Sequence, residues 1–384
     1  MSASRSGIVG WWFLVTTCLP LVIVAQEVPV ARTEEVFTVG FADDDLFFGW
    51  IGGLSVAPDG RVLVHDADPG DGPAVTVLAP NGAVVARWGV VGEGPGELSG
   101  GPAAVAVEGE SVLIAGSVGR IGIYDWSGEE LSRSNVSPGM FWEAAVFGGR
   151  VVAWQLMPQV VEGKMGFAAT LGPVDGGAWS TRTIESMHLA SPLTAPPLLV
   201  AIPGRRLVVG YGDEYSLRVV ASESGETLGL VTRDVSRRSQ DDTDAFHESA
   251  LRYFAHPEET PDTWSTIVRR SAVPTEVVGR DSRLPVIRKI LWGPPGVLWV
   301  ERGLGIDDEY AAPLDRPDDS RLWDTFKVTD DNQVTFLGPV ALPRGFRPLA
   351  GNGELMAGVV WDELGGLVAG FWRMTVVALD ETGL

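Results

Sequence analysis

Apolar and polar residues alternate with a period of two along most of this chain, in runs of about four to eight residues broken by Gly, Pro, Asn and Asp, a pattern that predicts short strands rather than helices. The clearest stretch is 53-GLSVAPDGRVLVHDAD followed by 75-VTVLAPNGAVVARWG. Leu54 and Val56 alternate with Ser55 and Ala57. Pro58-Asp59-Gly60 then supplies a turn, because Pro presets φ and Gly accepts positive φ without steric cost. Arg61 to Asp66 returns as a β-branched run with Val62 and Val64 on one face, and Ala74 to Leu78 makes a third strand. Asn81-Gly82 is the dipeptide most strongly tied to a two-residue type I′ hairpin, so Ala83 to Trp88 pairs back as the fourth. The unit is one four-stranded antiparallel sheet.

The pattern repeats with a period of roughly 45 to 50 residues, the mark of an architecture built from one supersecondary unit. PAAVAV (102–107), SVLIA (111–115), RIGIYD (120–125) and Glu129 to Arg133 restate all four strands. Further units begin near Ala144, Leu198, Val286 and Phe346, which makes six. The expected fold is all-β: a six-bladed β-propeller with four-stranded antiparallel blades, two stacked sandwiches being the alternative. One segment departs from the strand pattern. From Asp241 to Ala255, Phe246, Ala250, Tyr253 and Phe254 fall on one helical face, with Asp242 or Thr243 to cap it and Pro257 to stop it. This predicts a short helical insertion, about 241–257, between blades four and five, packed across one mouth of the ring or serving as a moving lid.

Composition narrows the picture. The 48 Gly and 26 Pro among 384 residues suit many hairpins better than alternating βα units. No low-complexity linker divides the chain, so 26–384 reads as a single domain. Residues 1–25 read as a signal peptide: Arg5, an apolar run from Ile8 to Ala25, and Ile23-Val24-Ala25 before Gln26. An uncleaved anchor and an acylated Cys18 are the alternatives. Cleavage removes the one cysteine, so export would bring no disulfides. The net charge of −21 repels phosphate backbones and anionic lipid heads, which argues against nucleic acid as a partner. The acids are spread along edges and loops, with only Asp43-Asp44-Asp45 as a run.

The most specific spelling is 88-WGVVGEGPGEL-98. It reads as a tight crossing between blades, with Gly89, Gly92, Gly94 and Gly96 free to take positive φ and Glu97 able to accept backbone N–H bonds. Together with AVAVEGESVLIAG, RIGIYDWSGEEL, 284-LPVIRKILWGPPGVLWVERG and 359-VVWDELGGLVAGFWRM, this motif resembles bacterial exported six-bladed β-propeller proteins of the NHL-like and TolB-like type, over most of residues 36 to 377. The resemblance implies an architecture in which a strand ahead of the first full blade, here Glu35 to Val39, pairs into the last one. It implies no single activity, since that fold hosts binding proteins, lactonases and lyases.

Catalytic patterns are sparse. His65, His188, His247 and His256 are the only histidines, and neither a HExxH or paired-Cys metal motif nor a nucleophile elbow or P-loop occurs. His247-Glu248 lies on the expected helix without a third ligand nearby, whereas His65-Asp66 ends a strand that would face the channel or cap a turn. A metal-dependent lactonase needs acids and amides converging in the channel. Asn81, Asn135, Asn332 and Asn352 are the only asparagines, and all but Asn135 read as turn residues. Trp88, Trp292 and Trp299 sit in strand patterns as core. No catalytic, cofactor or metal residue is therefore assigned. The leading expectation is a monomeric, exported binding or scaffold module that takes a protein, peptide or glycan at one mouth; the alternative is a lactonase-like hydrolase with its site in the channel.

Overall fold

The computed structural model describes residues 32–40, 46, 48–92, 94, 97–98, 104–116, 119–135, 140–161, 164–184, 197–233, 286–302, 322–342, 346–361 and 367–375. Every regular element among them is a strand. The first is β1 (Arg32–Val39). Blade 1 is β2 (Ile51–Val56), β3 (Val62–Asp66), β4 (Val75–Leu78) and β5 (Val84–Trp88); blade 2 is β6 (Ala104–Glu108), β7 (Ser111–Ala115), β8 (Arg120–Tyr124) and β9 (Glu130–Asn135). Blade 3 is β10 (Met140–Phe147), β11 (Arg150–Val161), β12 (Lys164–Pro173) and β13 (Ser180–Ile184); blade 4 is β14 (Pro197–Ile202), β15 (Arg206–Tyr211), β16 (Ser216–Ala221) and β17 (Thr227–Thr232). Blade 5 is β18 (Ile287–Gly293), β19 (Val297–Arg302), β20 (Leu322–Val328) and β21 (Val334–Ala341). The last sheet takes β22 (Phe346–Gly351), β23 (Met356–Trp361) and β24 (Leu367–Thr375), and its fourth strand is β1. The result is six four-stranded antiparallel sheets arranged as the blades of a propeller.

The innermost strands touch in one cycle, β2 to β6 to β10 to β14 to β18 to β22 and back to β2. The packing repeats that cycle, since each buried cluster lies between two successive sheets. Leu63, Val75 and Val77 meet Val112, Ile114 and Tyr124 between blades 1 and 2, for example, and Leu291, Trp299 and Trp323 meet Phe346 and Met356 between blades 5 and 6. A blade is thus buried on both faces, which is why β3 (VLVHD) is buried at every position rather than at alternate ones. Trp299 and Trp292 are core as expected, and the Trp299 indole N–H donates to the Pro294 carbonyl at 2.9 Å.

Closure uses β1, which pairs antiparallel with β24 from Arg32↔Thr375 to Val39↔Ala369. The expected Glu35 to Val39 strand is present and three residues longer. Phe37 also lies against Gly82 of blade 1, where a Cβ would come within 2.8 Å of its ring.

Two local expectations need correction. At Asn81-Gly82 only Gly82 takes a positive φ, 85°, and its N–H donates to Ala79 O at 2.9 Å. The turn therefore starts one residue earlier than a type I′ hairpin, and Gly82 forms a bulge after it. In the GEGPGEL crossing, Gly89 has φ 81° but Gly92 and Gly94 do not take a positive φ, and Gly96 lies outside the described residues. The Glu97 carboxylate folds back over Gly92 and Gly94, so a Cβ at either would have to displace the end of that side chain. Glu97 accepts the Gly94 N–H at 2.6 Å, so it ties the crossing to itself rather than to the next blade.

Candidate functional site at the loop face

Antiparallel topology divides the connections between two ends of the ring. Turns from first to second and from third to fourth strand lie at one end, the turn face; connections from second to third strand, and from blade to blade, lie at the other, the loop face. The turn face has no connection longer than the six residues Val174–Trp179. Polar links cross every blade junction there. Arg61 reaches Glu110 at 3.1 Å, Glu108 accepts the Gly148 and Gly149 N–H groups at 2.5 and 3.0 Å, and Arg150 donates to Glu223 O at 3.2 Å. Arg206 donates to Thr329 O at 2.6 Å and to Asn332 Oδ1 at 3.1 Å. The Gly296 N–H donates to Gly353 O at 2.7 Å, and Asn352 Nδ2 to Ala57 O at 2.7 Å. Asn81, Asn332 and Asn352 serve these turns, as their spacing suggested.

The loop face carries the two longest connections, from β17 to β18 and from β19 to β20. Residues 234–285 and 303–321 lie outside the described set, and with them the helix expected over 241–255, His247, Glu248 and His256; His188 lies outside it too. The bases of both connections are described, and one carboxylate joins them. Asp324, fully buried on β20, accepts from Arg302 Nη2 at 2.6 Å and Nε at 3.0 Å, from Arg233 Nη1 at 2.6 Å and from the Tyr215 hydroxyl at 2.7 Å. Arg233 follows β17, Arg302 ends β19, and Tyr215 belongs to the blade 4 turn of residues 212–215. That turn also holds the chain where it returns, since the Val286 and Ile287 N–H groups donate to Gly212 O at 2.6 and 2.9 Å. It is held from the other side by Arg182, which pairs with Asp213.

The electrostatics follow from burial. Burial, then the Asp324 charge, raises the Tyr215 pKa and keeps the phenol a donor. Hydrogen bonds to Asp324 raise that of Arg302. Among the described residues two guanidinium groups share this one carboxylate, and Arg233 adds a cation–π contact 4.2 Å from the Phe336 ring centre. Nothing in the sequence analysis pointed to Asp324. The available clue was an acid inside the apolar strand LWDTFKV, which requires a buried partner.

His65 does not face the channel. It lies on the second strand of blade 1, paired with Gly53 and Val75, and is 0% exposed with neither ring nitrogen hydrogen-bonded. Burial lowers its pKa to about 4 against the opposing pull of Asp66. Asp66 orders the entry to blade 1, accepting the Gly49, Trp50 and Asp68 N–H groups at 2.9, 2.9 and 3.0 Å. On the innermost strands, Glu143 of β10 lies within the field of Lys289 of β18. Glu143 is walled by protein yet reachable by solvent, and burial raises its pKa to about 7 against the lowering field of Lys289. Among the described residues no three His, Cys, Asp or Glu side chains gather as a metal site would need. No described helix is long and apolar enough to cross a membrane.

No protein-family profile matches the chain, and no curated protein matches it. Similar solved structures include an exported protein from Bacteroides fragilis, 8% identical over 90% of this chain and 96% of that one, with a TM-score of 0.49. Others are the β-propeller domain of Cps50 (Swd1) from Myceliophteria thermophila, 11% identical over 90% and 100% with a TM-score of 0.41, and a chain of the mitotic checkpoint complex, 10% identical over 96% and 99% with a TM-score of 0.41. The architecture in hand is the all-β propeller with four-stranded antiparallel blades.

Proposed function

We propose that this chain is an exported six-bladed propeller, with residues 1–25 as its signal peptide and the remainder as one domain, that binds a protein, peptide or glycan through the loop face and performs no chemistry there. The observation that carries the reading is the Asp324 hub, where the bases of both long connections are fixed to the rigid blades by one buried carboxylate. Loops on a rigid scaffold are where a propeller varies recognition without disturbing its blades. Six interblade clusters around a closed cycle of inner strands support the blade number. The apolar run before Gln26 supports export.

The test compares the mature chain with one lacking Asp241 to Pro257 on peptide and glycan arrays. The expected result is a ligand retained by the first and lost by the second, with the melting temperature unchanged. Hydrolysis of lactones or esters that EDTA abolishes would sink the reading. N-terminal sequencing of the exported product is expected to start at or near Gln26.

A further inference from the structure

Three of the six innermost strands carry the same irregularity. The β2 ladder skips Gly52 between Ile51 and Gly53, the β10 ladder skips Trp142 between Phe141 and Glu143, and the β18 ladder skips Arg288 between Ile287 and Lys289. A bulge leaves a residue out of the ladder and disrupts the pairing around it. Just past each bulge, the second strand of the blade contributes His65 in blade 1, Trp154 in blade 3 and Glu301 in blade 5, and all three are buried. Trp154 donates to Leu198 O at 3.0 Å and Glu301 is partnered, whereas neither ring nitrogen of His65 has a partner. The bulge beside His65 is also the one built of two glycines, whose backbone moves most freely. A buried polar group without a partner thus stands against a loose stretch of strand.

Its side of the blade follows from alternation. In β3, Val62 and Val64 pack with Leu355, Ala357 and Val359 of blade 6, and Leu63 packs with Val112 and Ile114 of blade 2. His65 is turned to blade 2 with Leu63, and its ladder neighbour Val75 packs there too. The charged and titratable groups around that seam are engaged elsewhere. Strands β2, β4 and β7 bring none, and Arg87 of β5 shares the opposite side of the blade with Val64. Asp66 is committed to the Gly49, Trp50 and Asp68 N–H groups, and Asp68 itself is exposed. Glu97 of the crossing accepts from Gly94. Blade 2 adds Arg120, which is partnered, Tyr124, and Arg133 paired with Glu130, while its Glu108 is bound to the blade 3 turn. Asp66 is the one whose charge is felt at His65.

We propose that the seam between blades 1 and 2 opens in acid: protonation of His65 parts β3 from blade 2 at its loop-face end while the other five blade junctions stay shut. An imidazolium carries a charge and two N–H donors, and at this buried position neither donor has an acceptor. The charge reaches solvent only if β3 moves, and the Gly52–Gly53 bulge is where its ladder gives. Asp66 moves with it and releases Gly49, Trp50 and Asp68, so the entry to blade 1 loosens in the same step. Burial holds the folded imidazole at a pKa of about 4 against 6.5, and an opened seam returns it to the ordinary value, so falling pH favours the opened form. Among the described residues the other buried base is Arg206, which is hydrogen-bonded to the Pro203 and Thr329 carbonyls and keeps its charge at every pH. Parting the seam bares Leu63, Val75, Val112 and Ile114, an apolar surface concealed at neutral pH.

Hydrogen exchange on the intact protein at about pH 7 and about pH 4.5, corrected for the intrinsic effect of pH on exchange, tests this. Amides of Ile51–Val56 and Val62–Asp66 are expected to open more than about tenfold more often at the lower pH, and those of Arg206–Tyr211 and Val297–Arg302 to keep their protection. His65→Leu keeps the seam apolar and is expected to abolish the response, with His65→Met in its place should that variant not fold. By NMR, the ring of the parent is expected to stay neutral for as long as β3 is protected. An equal rise in all four strands, no rise in the first two, an undiminished rise in the His65 variant, or an imidazole that titrates at its ordinary value with β3 still protected would each overturn the proposal.

Discussion

The two ends of the ring are held together in opposite ways. At the turn face the order is distributed: short turns, and a modest polar link at every blade junction, from Arg61 with Glu110 round to Asn352 with Ala57. At the loop face it is concentrated, with Arg233, Arg302 and Tyr215 all depending on Asp324. A distributed end tolerates change anywhere. A concentrated end leaves the rest of its surface at liberty to diverge, so long as the hub persists.

The largest expected effect is therefore Asp324→Ala, which takes the shared buried acceptor away from two partly exposed guanidinium groups and a buried phenol. Chemical denaturation should show a loss of about 3 to 5 kcal/mol. A loss no larger than that of a turn-face link would break the distinction between the two ends.

Next come two titrations toward the loop face whose signs oppose. His65 is held neutral, with a folded pKa of about 4 against 6.5, so its contribution is lost as the pH falls from about 6.5 to about 4. Glu143 is held protonated, with a folded pKa of about 7 against 4.5, so stability is lost as the pH rises from about 4.5 to about 7. Each amounts to about 3 kcal/mol, and over their common range they cancel. Stability curves should separate them: His65→Leu leaves a profile that falls with pH, and Glu143→Gln one that rises. Flat profiles in both variants would refute the assignment.

Smaller effects belong to the turn face. Arg206→Met removes a nearly buried guanidinium from the Pro203 and Thr329 carbonyls and is expected to lose about 2 kcal/mol in thermal denaturation. Arg61→Ala removes links to two exposed acids and should lose less than about 1 kcal/mol, and less again in high salt. A larger loss at Arg61 than at Arg206 would show that burial is not what grades these links.

The sequence made the blades readable because each strand carries its own evidence: β7 and the start of β22 lie where their apolar runs placed them. Turn chemistry was readable to within a residue. Asn81-Gly82 has the right glycine and the wrong turn, because the turn closes on Ala79 and Gly82 takes up the extra residue as the bulge after it. Asp324 was not readable. Its partners lie 109, 91 and 22 residues away, and only the ring brings them together. Glu143 was hidden for a related reason, since neither its strand nor Lys289's shows its bulge until it is paired. Of the two places open to His65-Asp66 the turn, not the channel, is the one Asp66 takes, because alternation tells which residues share a side of a blade, not whether that side meets water or another blade.

The pairing of β1 with β24 also acts as a check on completeness. The strand made early waits for a partner made near the end, and Phe37 on it rests against Gly82 of blade 1 while its backbone joins the sheet of β22 to β24. It bridges the seam in both directions. A chain that stops short of Leu367 has no strand for β1 to latch onto, leaving two open edges at the seam and a ring that cannot shut. Assembly intermediates of every length up to that point share one exposed and recognisable defect, and only the whole repeat array removes it.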